Sequence, residues 1–391
     1  MPILYAVAFI SIALIVYTYA GYPLILGALG MLRRRPRPPA PPEVWPMVSI
    51  SLPVHNEEAQ IAQTLESLLA LDYPRDRLQI VVISDASTDR TDEIVAGFAD
   101  RGVELLRMPR RGGKTAAENA AHPHLRGEII VNTDASIRLA PDSIKALVRW
   151  FGDPTVGVAS GRDVSIGRVS RDANAGESGY VGYEMWVRSL ETQVDGIVGA
   201  SGSLYAIRAE LHRYSLPEAL SRDFAAALVA REAGYRAVSV PEAVCYVPRA
   251  PSLRREYRRK VRTITRGLGT LHYKRHLLNP LRYGVFAWML FSHKLCRWLV
   301  PWALAMLGVA AVVLALVEPW ARVAAGAMGL VLALAAAGWL WPAERGMPRW
   351  LGIPAYLVAG NVAALHAWIR ASRGQLNPIW EPTRREPVPA G

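Results

Sequence analysis

The chain has 391 residues, a formal net charge of +12 and 51% hydrophobic residues. Its two cysteines, Cys245 and Cys296, supply neither a disulfide framework nor a thiolate metal site. In a soluble protein the basic excess would point to nucleic acid. Here the apolar residues fall in long blocks flanked by arginine, so the charge is assigned to membrane flanks and nucleic acid is excluded as a partner.

Residues 3–32 form an uncharged apolar run closed by Arg33, Arg34, Arg35 and Arg37. A span needs about 20 apolar residues, and no cleavage site is evident, so 1–32 is read as a retained anchor. The arginines place its C-terminal end in the cytosol. Residues 33–46 are basic and proline-rich, a stiff linker.

From residue 47 the texture changes. Short apolar runs at 47–53, 78–84, 103–107 and 128–134 read as strands, and 57–71, 89–99 and 142–151 as helices between them. Continuous apolar strands alternating with helices predict a mostly parallel α/β sheet covered on both faces, a Rossmann-like arrangement. Such sheets bind ligands at the C-terminal ends of their strands.

Three strand ends carry polar residues there: Pro53-Val54-His55-Asn56-Glu57-Glu58, Ser84-Asp85-Ala86-Ser87-Thr88-Asp89 and Asn132-Thr133-Asp134-Ala135-Ser136. A strand-tip carboxylate suits hydrogen bonding to a base or ribose, or a divalent metal on a diphosphate. Helix capping is the alternative, more natural for Asn56 and Asp89 than for Asp85 and Asp134, which precede the turn. Between the tips lies Gly112-Gly113-Lys114-Thr115. The phosphate-loop pattern requires glycine at 108, where the chain has Met108, so the Walker reading fails. Lys114 remains a point charge for a phosphate or part of a solvated basic turn.

A stretch dense in lysine and arginine, 249–275, immediately precedes apolar segments, so a cytosolic membrane interface explains it better than nucleic acid. Residues 280–295, with His293 and Lys294 among large apolar residues, read as an amphipathic interface helix. Segments 298–317, 323–341 and 351–369 are each close to spanning length. One anchor plus three spans places the C-terminus outside the cytosol, whereas Arg370, Arg373, Arg384 and Arg385 favour the cytosol. Either the interface segment crosses or a later segment is re-entrant.

Taken together, PVHNEE (53–58), SDASTDRT (84–91), GGKTAAEN (112–119), NTDAS (132–136), VGASGSLYAIR (198–208), SRDFA (221–225), RRKVRT (258–263) and the tail WEPTRR (380–385) resemble, in order, the family 2 glycosyltransferases. The likeness is to the cellulose, hyaluronan and poly-N-acetylglucosamine synthase branch. The resemblance implies a GT-A fold, a UDP-sugar donor and inversion at the anomeric carbon. It implies that Asp85 contacts the nucleoside and that Asp134, the first acid of D-x-D, holds Mg2+ or Mn2+ on the diphosphate. It further implies that Asp223 is the general base. Arg259, Arg262 and Thr263 stand for the Gln, Arg and Trp of Q-x-x-R-W, while Pro53, Glu57 and Lys114 lie near the donor. Two departures follow. Ser136 replaces the second acid of D-x-D and weakens the metal site. Thr263 replaces the aromatic that grips the acceptor sugar, which questions processive polymerisation.

The expected organisation is an anchor (1–32), linker (33–46), GT-A domain (47–265), interface region (266–296), C-terminal membrane helices (297–370) and tail (371–391). The expected activity is sugar transfer to a growing glycan of the cell envelope or an exopolysaccharide, by a multi-pass enzyme of the inner or plasma membrane with its catalytic domain cytosolic. Membrane lipids surround it, and the resemblance leaves room for an accessory subunit. Transfer of a single sugar to a lipid, a polyprenyl phosphate or a ceramide-like molecule, is the alternative. A catalytically dead scaffold would have lost Asp85, Asp134 or Asp223, and all three are present.

Overall fold

The computed structural model describes residues 1–33, 36–166, 175–248, 252–342, 346–377 and 379, so the tail motif 380–385 lies outside the described residues. The helices are α1 (Pro2–Val16), α2 (Tyr22–Met31), α3 (Ile61–Leu69), α4 (Thr91–Ala96), α5 (Lys114–Ala121), α6 (Ser143–Arg149), α7 (Ala175–Val194), α8 (Ala209–His212), α9 (Arg222–Glu232), α10 (Leu253–Tyr273), α11 (Pro280–Leu290), α12 (Arg297–Leu314), α13 (Pro319–Trp339) and α14 (Arg349–Ser372). The strands are β1 (Val48–Val54), β2 (Leu78–Ser84), β3 (Val103–Arg107), β4 (Ile129–Thr133), β5 (Arg138–Leu139), β6 (Val156–Ile166), β7 (Leu204–Arg208) and β8 (Arg236–Pro248).

The eight strands form one mixed sheet in the order β3-β2-β1-β4-β7-β6-β8-β5. β3, β2, β1 and β4 are parallel, as the alternation of strands and helices predicts, and every residue of β1, β2 and β4 is buried. Burial on both faces removes any polar alternation. Between β1 and β2, Ser49 Oγ donates to Gln79 Oε1 at 2.5 Å. Helix 57–71 is shorter than its pattern suggests. It begins at Ile61, because residues 57–60 form a turn beyond the tip of β1, with the Gln60 and Ile61 amides donating to the Glu57 carbonyl.

β7 runs antiparallel beside β4, pairing Leu204 with Thr133. This reversal opens a crevice at the tips of β1 and β4 and brings the turn before β7, residues 201–203, next to Asp134. Sequence reading assigned no strands to β6, β7 and β8. Their polar residues, among them Ser160, Arg162 and Asp163, break the apolar run that marks the first four.

Four described helices are long and apolar enough to cross a membrane: Pro2–Met31, Pro280–Leu314, Pro319–Trp339 and Arg349–Ser372. The second runs across the division expected at 296/297. After a kink at Gly284 (φ +52°), residues 285–290 continue through a π-helical turn, Phe291–Cys296, into α12. Their polar face meets protein, since His293 is buried with Nδ1 2.5 Å from Glu191 Oε1 and Nε2 2.9 Å from Glu184 Oε1. Tyr22 of α2 donates to the same Glu191 oxygen at 2.6 Å. Polar groups in apolar helices are stable when they face such partners.

At the end of the helices remote from the sheet, Tyr5 donates to Glu318 Oε1 at 2.5 Å and its ring lies 6.5 Å from that of Trp320. At the near end, Trp339 packs edge-on against Tyr257 of α10, and Trp368 Nε1 donates to the Trp298 carbonyl at 2.8 Å. α14 starts beside Gly338, follows α10 with Lys260 Nζ 3.8 Å above the Tyr356 ring, and brings Leu376 against Gly269. Both of its ends therefore lie on the side of the sheet domain.

Candidate active site

At the tips of β1 and β2 two non-glycine residues, Asn56 (φ +54°) and Ala86 (φ +52°), adopt the left-handed conformation. Such strain persists where surrounding contacts impose it, and it clusters at functional sites. His55 Nδ1 lies 2.8 Å from the Asp85 carbonyl, and Asn56 Oδ1 accepts the Thr88 amide at 2.8 Å, stitching the tips together. Pro53 is buried in β1, in register with Ile83 of β2. Glu57 is buried. Its amide donates to Thr91 Oγ1 at 2.8 Å and its carboxylate accepts from Gln60.

Asp85 is buried, and its carboxylate accepts the amides of Gly112 and Gly113 at 2.7 and 2.8 Å. It thus pins the turn that starts α5. Gly113 caps that helix at φ +90°, a conformation other side chains rarely adopt. The pinned turn aims Lys114 across the crevice, where its ammonium lies 2.5 Å from Asp134 Oδ1 and 3.1 Å from the Gly202 carbonyl. Burial works to lower the Lys114 pKa, but the charges of Asp134, Glu118 and Asp223 outweigh it and hold the ammonium above its ordinary value.

Asp223 sits in the first turn of α9, where the helix N-terminus favours a carboxylate. Ser221 Oγ donates to Asp223 Oδ1 at 2.5 Å. Its other oxygen faces Gly202 so closely that a Cβ there would stand 2.7 Å away. Gly202 thereby fixes the carboxylate from one side and Ser221 from the other.

A cavity of about 270 Å³ joins these groups, lined by Lys114, Glu118, Asp134, Ser136, Asp163 and Asp223 with Arg259, Arg262, Thr263 and Arg266 of α10. Arg259 forms a bidentate pair with Glu256 at 2.7 and 2.8 Å. Arg266 donates to Thr115 Oγ1 at 2.8 Å and to the Leu220 carbonyl, tying α10 to α5 and to the turn before α9. The structure thus brings together Lys114, Asp134, Asp223, Arg259 and Arg262. Pro53, Glu57 and Asp85 form the adjoining strand-tip region and are not among the residues lining this cavity.

From the cavity wall, at Glu118 and Arg222, a buried polar network absent from the sequence reading extends inward. Glu118 is fully buried, its Oε2 3.8 Å from Arg222 Nε, and neither of its oxygens has a hydrogen-bond partner among the described residues. Arg222 donates to Asn119 Oδ1 at 2.5 Å and to the His212 carbonyl. His122 and His212 face each other through their Nδ1 atoms at 3.0 Å. Burial, then the Arg222 and Arg213 charges, pushes His122 down to about 4. Burial, then Arg222 and His122, holds His212 well below its usual range. Burial raises Glu118, opposed by Lys114 and Arg222. Helical spacing from Lys114 to Glu118 was the available signal, since residues four apart share a face. Asp163 was missed too. It accepts Ser201 Oγ at 2.7 and 2.9 Å, and Cys245 Sγ lies 3.1 Å from it, so that thiol is a buried packing group.

A divalent cation fits on limited terms. Among the described residues no group of three His, Cys, Asp or Glu could hold a metal by itself. Mg2+ and Mn2+ are, however, commonly held by one or two carboxylates plus substrate phosphates. Asp134 and the Ser136 hydroxyl line the cavity in a way that suits an ion shared with a diphosphate.

Comparison with known proteins follows this geometry. The family described as Glycosyl transferase family 2 matches residues 49–206, and Glycosyl transferase family group 2 matches residues 129–341. A beta-monoglucosyldiacylglycerol synthase of Nostoc sp. is 31% identical over 48% of this chain and 42% of its own length. The chain thus spans less than half of that relative. An N-acetylglucosaminyltransferase of Mesorhizobium japonicum is 27% identical over 55% of each chain. A mannosyltransferase of Pyrobaculum calidifontis, solved with GDP-Man and Mn2+, superposes with a TM-score of 0.68 at 28% identity, covering 92% of this chain and 99% of that one. The sheet is that of the GT-A fold, and the chain belongs to the family 2 glycosyltransferases, enzymes that transfer sugars.

Proposed function

We propose that this enzyme is an inverting glycosyltransferase held at the inner or plasma membrane, moving a sugar from a UDP-sugar to a hydroxyl of a growing glycan. The observation that carries the reading is Asp223, fixed by Ser221 and Gly202, facing one cavity with Lys114, Asp134 and the α10 arginines. Inverting transfer is a direct displacement at the anomeric carbon. Asp223 takes the acceptor proton as the hydroxyl attacks, a contribution typically worth 10²–10⁴-fold. Negative charge grows on the leaving diphosphate, and Lys114, Arg259 and Arg262 stabilise it. A divalent ion at Asp134, when bound, adds further positive charge to the diphosphate. Asp85 holds the Gly112–Gly113 turn at the nucleoside end, with Pro53 and Glu57 beside it.

A single-sugar transfer to a lipid is the second reading. Two observations favour it: Thr263, not an aromatic residue, lines the cavity, and one relative is named for making a glucosylated diacylglycerol. The GDP-Man in the Pyrobaculum title makes guanosine donors the necessary control.

Residues 47–265 are the catalytic domain, on the cytosolic side where Arg33 and the basic face of α10 stand. α1–α2, α11–α12 and α13 cross the membrane. α14 lies along α10 at its surface, because both of its ends meet the catalytic domain. Three crossings return the C-terminal arginines to the cytosol and remove the conflict in the span count.

A panel of UDP- and GDP-sugars, with mass spectrometry of the product, tests the reading. One UDP-sugar is expected to turn over, and Asp223→Asn is expected to abolish transfer while the protein stays folded and binds donor. Full activity in that variant removes the base assignment; turnover of a GDP-sugar alone removes the UDP assignment.

A further inference from the structure

A second cavity of about 290 Å³ lies between α10 and α14, next to the catalytic one and sharing Arg262 and Arg266 with it. Its wall includes Arg258, Arg262 and Arg266 from α10 and His366 and Arg370 from α14, and no carboxylate is among its described lining residues. Arg266 is committed to Thr115 and to backbone carbonyls. Arg258 and Arg370 are in a different position, for neither forms an ion pair among the described residues. Guanidinium groups converging on one concave site repel one another until an anion enters, and a low-dielectric wall strengthens that field. Planar guanidinium suits phosphate in particular.

The surroundings identify the carrier of the anion. On α14, His366 is four residues after Val362, three before Ile369 and four before Arg370, so these residues share a face. Val362 and Ile369 are exposed and flank His366, so they form an apolar edge beside it, whereas Trp350, Ile353 and Leu357 are exposed on another side of the helix. The cationic cavity therefore opens directly onto apolar surface. A soluble anion would use only the first feature; an amphiphile uses both.

We propose that the α10–α14 cavity binds the phosphate headgroup of a membrane lipid, with its acyl chains leaving past the exposed edge formed by Val362 and Ile369. The proposal rests on the surface placement of α14 given above. It assigns the basic face of α10 a definite ligand class, and it seats that lipid one arginine away from the cavity of Asp223.

The test uses the full chain in nanodiscs of phosphatidylcholine with a minor share of phosphatidic acid. Lipid retained after gentle extraction is counted by native mass spectrometry, with and without added inorganic phosphate. Phosphatidic acid is expected to be enriched over phosphatidylcholine by about tenfold or more, and Arg258→Gln with Arg370→Gln is expected to remove the enrichment without changing donor binding. No enrichment, or enrichment untouched by the double variant, overturns the site. Displacement by inorganic phosphate alone overturns the lipid as its ligand. Placement is read separately with Val362→Cys, an exposed position on the His366 side of α14, and a water-soluble maleimide. Rapid labelling in nanodiscs refutes the placement of α14, while protection without enrichment refutes the headgroup site alone.

Discussion

The Lys114 ammonium lies 2.5 Å from Asp134 Oδ1, so the sole acid of the D-x-D position faces a protein cation. The pair holds both side chains in the cavity, where a donor diphosphate would exchange partners with them. Lys114→Met is expected to raise the donor KM by 10- to 100-fold, the size of a lost charge-assisted hydrogen bond of about 1.5–3 kcal/mol. Initial-rate kinetics over a range of donor check this. An unchanged KM would mean that Lys114 serves only to neutralise Asp134.

The same site predicts how metal use responds to the missing acid. Transfer is expected to fall on EDTA treatment and return with Mn2+. Ser136→Asp is expected to lower the Mn2+ concentration for half-maximal rate, since carboxylates bind hard cations better than hydroxyls. Activity indifferent to EDTA would take the ion away from Asp134.

Gly202 is constrained by Asp223 rather than by its backbone angles. A methyl group there would meet Asp223 Oδ2 at 2.7 Å, so the carboxylate must move. Gly202→Ala is expected to lower kcat by about 10²-fold, as misplacements near 1 Å do, with donor KM nearly unchanged. Steady-state kinetics decide it.

Arg222 and Glu118 form a buried charge couple at the cavity wall. Arg222→Met leaves Glu118 buried with Lys114 as its remaining cation, so the loss is expected to stay below the about 3–5 kcal/mol of a fully broken buried pair. Adding Glu118→Gln is expected to restore part of that loss. Unfolding in detergent, run as a double-mutant cycle, measures the coupling, and simple additivity would show the couple to be inert.

The histidine pair sets an acid limit. His122 is pushed down to about 4 in the folded chain, below its ordinary 6.5, so the fold favours the neutral ring. That contribution is fully present above about pH 6.5 and is lost as pH falls through 4. Two facing Nδ1 atoms cannot both carry protons, which sharpens the loss. The unfolding temperature is expected to drop between those values, and His122→Gln to flatten the drop. Glu118, raised by burial, acts in the opposite sense: its contribution is present below its ordinary 4.5 and is lost as pH rises through the raised value.

Much of the fold was legible. The apolar runs of β1, β2, β3 and β4 announce themselves because strands buried on both faces lack polar residues, and ligand-bearing tips follow from strand direction. β7 was invisible for a related reason: its place beside β4 depends on pairing with a strand some 70 residues away in the register Thr133–Leu204. Asp223 was read through its motif, but the roles of Ser221 and Gly202 exist only once two turns meet. Glu118 carried a faint helical signal beside Lys114, whereas nothing local pointed from Glu118 to Arg222.

The sequence by itself determined the ordered strand-tip motifs, the family they belong to and the number of helices long enough to span a bilayer. These properties are local, written in hydrophobic periodicity and run length. Only the tertiary structure decided that residues 285–296 continue into the long apolar helix α12 with His293 turned toward α7, and that α14 lies along α10 with both ends beside the catalytic domain. Hydropathy measures how apolar a segment is, whereas its direction is set by the distant side chains it packs against.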